Sequence, residues 1–232
     1  MSFEVICENC GAPSSPSVGV CNFCKSSFAI SEPKNPSLAK LKKCYEEGDL
    51  DQALALAHAL DTEESKVKDS ISFLMTYIKL LVETEGPAYK IKSLLLQAAS
   101  LDPDNGDILD YLDLMDAKSK LSQERNDFGE KLLKTILIRS PQNVHAHFIL
   151  GSHLFWKEKE PSGALVHLIR AVELRPNFLR AWACLGALYL ELKQDAQANQ
   201  ALRKCLKLES NPAMIKFFES QIQLLKVKKK AA

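Results

Sequence analysis

Four cysteines near the start of the chain carry a spacing that metal chemistry uses. Cys7-Glu8-Asn9-Cys10 is followed, after ten residues, by Cys21-Asn22-Phe23-Cys24. Two residues between thiolates let one tight turn present both sulfurs to one ion, and two such turns complete a tetrahedral four-thiolate site. Gly11 stands directly after Cys10, where the turn calls for a positive φ. A closed four-cysteine site keeps no open coordination position, so its expected role is structural, with one Zn2+ per chain. Iron fits the same turns, and a redox disulfide pair is the remaining alternative.

The segment resembles a short zinc ribbon, expected over residues 1–30. Phe3, Phe23 and Phe28 supply at most a tiny core, so in a module this small the metal must provide most of the stabilisation. Residues 1–36 hold Glu4, Glu8 and Glu32 against Lys25 and Lys34. Four thiolates on a divalent ion add further negative charge, which makes a poor phosphate binder. Nucleic acid is therefore disfavoured as a partner. A nucleic-acid-associated factor using the ribbon and the tail Lys226, Lys228, Lys229 and Lys230 is kept as the alternative reading, beside a self-associating structural subunit.

Other chemistry-bearing residues are weaker signals. His145, His147, His153 and His167 lie close in sequence, but His145 and His147 are two apart on an expected helix and face different ways. The acidic stretch from Asp102 to Asp116 departs from a calcium loop, with Gly106 where a ligand should be, and reads as a solvated face. Cys44, Cys184 and Cys205 are expected to be buried packing residues. The chain has no G-x-S-x-G, G-x4-G-K-[ST], G-x-G-x-x-G or H-E-x-x-H. No enzyme is expected.

The elements that must position these residues are helical. Ser31-Glu32-Pro33-Lys34-Asn35-Pro36 is a polar linker with two prolines. From 37 to 232 the chain reads as five helix pairs and one terminal helix, including helices over 67–84, 143–157 and 178–192. Leu150-Gly151 returns as Leu185-Gly186 after 35 residues, and Pro141 returns as Pro176 at the same interval. A fixed period in this range marks a stacked-repeat protein. No pair can bury its apolar stripe alone, and stacking neighbours buries it. The terminal helix would cap the last pair with Met214, Phe217, Phe218, Ile222 and Leu225.

Trp182-x-x-Leu185-Gly186-x-x-Tyr189, followed by Ala198 and Pro212, resembles the tetratricopeptide repeat (TPR). The likeness is strong over 143–212 and weaker over 37–142. It implies an all-α, right-handed solenoid of about five pairs with a capping helix. It also implies a groove, lined by the first helix of each pair, that binds a peptide or a helix. In the fourth and fifth pairs that groove would be lined by His145, Phe148, Ser152, Phe155, Arg180, Ala183, Ala187 and Leu190. The Lys, Arg and Asn set with which some such arrays clamp a C-terminal carboxylate is missing there.

The expected function is thus a non-catalytic adaptor or scaffold for a protein or peptide partner. A net charge of +1 over 232 residues gives no global pull toward nucleic acid or an anionic membrane. No apolar run is long enough to span a bilayer. Met1 to Ile6 has neither the basic start nor the apolar core of a secretory signal, and the expected compartment is the cytoplasm. Homo-oligomer formation is left open.

Overall fold

The computed structural model describes residues 5–6, 13–14, 36–62, 67, 70–209 and 211–231. It divides the chain into two compact units, Met1–Ala39 and Lys40–Ala232. In the first, β1 (Val5–Ile6) and β2 (Pro13–Ser14) pair antiparallel, with Val5 opposite Ser14 and Ile6 opposite Pro13. Cys7, Cys10, Cys21 and Cys24 lie outside the described residues.

Among the described residues from Pro36 onward, every regular element is a helix. The helices are α1 (Pro36–Glu47), α2 (Leu50–Thr62), α3 (Ile71–Glu83), α4 (Ala88–Leu101), α5 (Gly106–Ser122) and α6 (Asn126–Arg139). They continue with α7 (Val144–His153), α8 (Pro161–Leu174), α9 (Leu179–Glu191), α10 (Asp195–Leu208) and α11 (Pro212–Ala231). The closest packing joins α3 to α4, α5 to α6, α7 to α8 and α9 to α10, while α5 also touches α7 directly. The first helices α5 and α7 thus lie against each other, as they do where stacked pairs present a shared face.

Two recurring turns build the pairs. Inside each pair the chain turns on a single left-handed residue: Gly48 (φ 85°), Glu85 (56°), Glu124 (59°), Lys159 (58°) and Lys193 (56°). A left-handed residue after a helix lets the last carbonyls find donors, and four of these five bear the strain of a Cβ. Ser70 caps α3, accepting from the Phe73 amide, whereas before the third and fourth pairs a proline ends the second helix and an asparagine caps the next. Asn105 accepts hydrogen bonds from the amides of Asp107 and Ile108, and Asn143 accepts one from Ala146. The fifth pair departs from this rule. There Phe178 takes the cap position without a side-chain bond, and Asn177 instead donates to the carbonyl of Glu46 in α1.

Core residues alternate between large and small at the helix contacts. Leu41, Phe73, Leu74, Ile78, Leu95, Leu114, Leu133 and Leu168 are fully buried, with Ala53, Ala98, Ala117, Ala164 and Ala198 between them. The terminal helix covers the last pair through Phe218 and Ile222, which pack with Ala198, Leu202 and Cys205. Met214 and Phe217, expected in the same contact, are 41% and 52% exposed.

One helix differs in kind from its expectation. The segment expected as a single helix over 143–157 is α7 followed by a π-turn, Leu154–Glu158. The Lys159 amide bonds the Leu154 carbonyl, five residues back. Such wide turns are rare, and they occur frequently at functional positions.

Candidate functional site: a cleft on the first-helix face

A cleft of about 290 Å³ opens on the face formed by α3, α5, α7 and α9. Val82 and Glu85 come from the end of α3, Lys118 and Leu121 from α5, His145 through His153 from α7, Trp156 and Lys157 from the π-turn, and Arg180 from α9. Phe148 forms the apolar floor, with the Arg180 guanidinium 5.0 Å from its ring centre and the Phe178 ring 4.8 Å away. Arg180 also pairs with the Glu85 carboxylate and donates to the Glu83 carbonyl at 3.3 Å. Trp156 stands 54% exposed at the rim. Lys118 and Lys157 have no carboxylate within ion-pair distance among the described residues. Burial lowers the Lys118 pKa, while the nearby Glu85 charge works the other way.

Of the eight expected groove residues, His145, Phe148, Ser152 and Arg180 meet at this cleft. Phe155 is buried behind it, its ring 4.2 Å from that of Trp156. Ala183 and Leu190 pack toward the core shared by α10 and α11, and Ala187 is half-buried away from the cleft walls. Helical periodicity gives a face but not which of its positions the next pair covers.

His145 separates this cleft from a second one of about 540 Å³, whose walls include Tyr45, Lys79, Asp110, Tyr111 and Arg175. Its ring lies edge-on to Tyr111 and Phe178, and Nδ1 stands 2.7 Å from the Tyr111 hydroxyl. Burial, aided by the Arg175 charge, pushes its pKa down to about 3, so the ring is neutral. Burial likewise holds the Tyr111 hydroxyl well above its usual range.

Around His145 lies a buried polar cluster that sequence reading did not anticipate. Glu83 is 1% exposed, and burial pushes its pKa up to about 7 against the pull of Arg175. Arg175 Nη2 stands 3.1 Å from Glu83 Oε2 and donates to the Tyr45 carbonyl at 2.9 Å. Its guanidinium lies 3.7 Å from the Tyr45 ring centre. Asp110, in the stretch expected to be a solvated face, is 1% exposed and accepts from Arg139 Nε at 2.6 Å. Asp113 accepts from Arg139 Nη2 at 2.8 Å. The only sequence signal for these pairs is a charged residue at an inward helix position, and its partner is 26 to 92 residues away.

Nucleophiles in the region are quiet. Ser152 Oγ donates back to the Ile149 carbonyl at 3.0 Å. The Cys184 thiol is pushed up to about 11 by burial, which suppresses the thiolate that reactivity requires. Cys44, Cys184 and Cys205 are all buried free thiols.

No protein-family model and no curated protein matches the chain. Solved structures do. TTC0263, a thermophilic TPR protein of Thermus thermophilus, aligns with a TM-score of 0.50 at 16% identity, over 81% of this chain and 98% of its own. YrrB, described as a TPR protein with an unusual peptide-binding site, aligns at 0.43 and 16% identity, over 82% and 94%. MamA aligns at 0.40 and 16%, over 75% and 90%. At TM-scores under 0.5 the last two add no weight. The likeness to TTC0263, with the paired helices and stacked first helices described above, shows that the helical part of this chain has the tetratricopeptide-repeat fold.

Proposed function

We propose that this chain is a non-catalytic adaptor. Its cleft between α3, α5, α7 and α9 holds a peptide that carries an acidic group beside an apolar side chain. The observation that carries this reading is the cleft's composition: Phe148, Ile149 and Trp156 beside Lys118 and Lys157, two cations without a carboxylate at ion-pair distance among the described residues. An exposed indole offers a large rigid contact at low entropy cost. A lysine in a half-buried wall gains more from an incoming carboxylate than one in open water. The buried thiols and the back-bonded Ser152 support a binding role over a catalytic one.

The second part of the reading is one structural Zn2+ held by Cys7, Cys10, Cys21 and Cys24. It is supported by the spacing of the four cysteines and by the antiparallel strand pair that brackets Cys7 and Cys10. A cytoplasmic location belongs to the same proposal, and no described helix is long and apolar enough to cross a membrane.

Fluorescence polarisation tests the cleft. Labelled peptides alternating acidic and aromatic residues should bind the full chain, and matched peptides with lysine for each acid should not. Lys118→Glu and Trp156→Ala should each weaken binding at least ~10-fold, since central aromatic and charged contacts dominate such interfaces. Equal binding of both peptide sets, or no change in either variant, would sink the cleft assignment. Elemental analysis tests the metal: a Cys7→Ser/Cys10→Ser variant should hold one equivalent of zinc less than the wild type.

A further inference from the structure

Away from the cleft's apolar floor, three side chains from three elements converge on one point. Glu130 lies on α6, His153 ends α7 and Glu158 ends the π-turn. His153 Nε2 is 3.4 Å from Glu158 Oε1 and 3.7 Å from Glu130 Oε1, and a donor atom of each residue lies within 4.8 Å of the others. The His153 side chain is only 5% exposed, and its Nε2 is buried without a hydrogen-bond partner.

The π-turn is what makes this meeting possible. In an α-helix, residues 153 and 158 would point about 140° apart. In a π-turn, whose bonds run from i to i+5, residues five apart stack on the same side. The wide turn therefore brings the Glu158 carboxylate back over the imidazole that precedes it. Outer contacts hold both carboxylates in place. Asn126 Nδ2 donates to Glu158 Oε1 at 2.7 Å, and Lys134 Nζ holds the second oxygen of Glu130 at 2.7 Å.

Two carboxylate oxygens facing a ring nitrogen form an electrostatic hole that calls for a positive charge. A neutral imidazole presenting its lone pair there would be repelled by both anions. We propose that Glu130, His153 and Glu158 bind a divalent transition-metal ion of the Zn2+ class, through Nε2 and one oxygen of each carboxylate. Bonds of about 2.0–2.1 Å at the tetrahedral angle put ligand atoms about 3.3 Å apart, close to the 3.4 and 3.7 Å between Nε2 and the two carboxylate oxygens. Imidazole with carboxylate selects such ions over calcium or magnesium. Asn126 and Lys134 act as the outer contacts that orient metal ligands, and the 34% exposure of Glu158 provides an entry path. Three protein ligands leave a fourth position for water or for a group on a bound partner. An imidazolium paired with the two carboxylates would also fill the hole, and the two occupants behave differently.

The test titrates Co2+ into the full chain loaded with a single equivalent of Zn2+, which the four thiolates take in preference to a site of one imidazole and two carboxylates. Calorimetry should show one further equivalent taken up. The ring signals of His153 should broaden under the paramagnetic ion. Glu158→Gln and Glu130→Gln, both at partly exposed positions, should each weaken uptake at least ~10-fold with helix content unchanged by circular dichroism. No uptake beyond the zinc-filled thiolates, or uptake in both variants equal to that of the wild type, would overturn the site. So would His153 ring signals that are indifferent to the metal.

Discussion

The seam of α9, α10 and α11 and the wall formed by α3, α5 and α7 hold helices together by opposite means. The seam is apolar throughout: Ala198, Leu202, Cys205, Phe218 and Ile222 with Trp182, Tyr189 and Leu190 against them. Among the described residues it buries no charged group. The wall buries Glu83, Asp110 and His145 and answers them with Arg175 and Arg139. Buried ion pairs add little net stability, because desolvation offsets attraction, but removing one partner is expensive. The seam should therefore tolerate conservative change and ignore pH, whereas the wall should do neither.

Arg175→Ala is expected to have the largest effect. Stranding Glu83 and losing the Tyr45 contacts should cost about 3–5 kcal/mol near pH 8 by chemical denaturation. The loss should shrink near pH 5.5, where Glu83 takes up a proton instead. A loss that is the same at both values would mean that the pair is not what holds the wall.

The pH behaviour of the wall comes next. Glu83 is raised from 4.5 to about 7, so its contribution is present at low pH and fades as pH rises through 7. His145 is lowered from 6.5 to about 3, so its contribution is present above 6.5 and fades as pH falls toward 3. Between about 4.5 and 6.5 the folded wall holds one extra proton on Glu83 while the unfolded chain holds one on His145, and the slopes cancel. The pair's contribution should be flat there. In His145→Gln, stability should fall by roughly 3 kcal/mol as pH rises across that window, and in Glu83→Gln it should fall as pH drops. Urea midpoints at four pH values would settle it, and parallel profiles for all three proteins would refute the assignment.

The smallest effect separates two seams that share a motif. A Cβ on Gly151 would meet Leu168 Cγ at 2.9 Å and the Leu168 backbone nitrogen at 3.1 Å. On Gly186 it would meet nothing closer than Ala201 Cβ at 3.5 Å. Gly151→Ala should lose about 1–3 kcal/mol through overpacking. Gly186→Ala should be neutral or gain up to ~1 kcal/mol from helix propensity. Thermal melts should therefore move in different directions, and equal shifts would show that the two steps pack alike.

The same contrast explains what was legible in the sequence. Period, proline spacing and the Trp182–Tyr189 stripe placed the helices because each is a local signal. Asn105 and Asn143 after Pro103 and Pro141 likewise mark caps within three residues. The left-handed turns were half hidden: Gly48 announces itself, but Glu85, Glu124, Lys159 and Lys193 do not, since the fold imposes their φ. The π-turn carries no composition signal at all. Wall pairs such as Glu83 with Arg175 depend on which helices meet, so periodicity could name a face but not its occupants. His153 was read among other histidines, while its neighbours in space are Glu130 and Glu158.

The bridge from the α8–α9 turn back to the start of the helical region alters how the stack can come apart. Where each pair touches only its neighbours, an array frays from either end, and distant pairs open independently. Here Arg175 and Asn177 bond the Tyr45 and Glu46 carbonyls, and Arg180 bonds the Glu83 carbonyl, across 97 to 131 residues of chain. Lifting α1 away breaks contacts with the α8–α9 turn, so amide protons of α1 and of that turn should exchange as one cooperative unit. The bridge also closes a long loop during folding, an entropic cost that shorter-range pairs do not carry. The first helix and the α8–α9 turn therefore share a common fate.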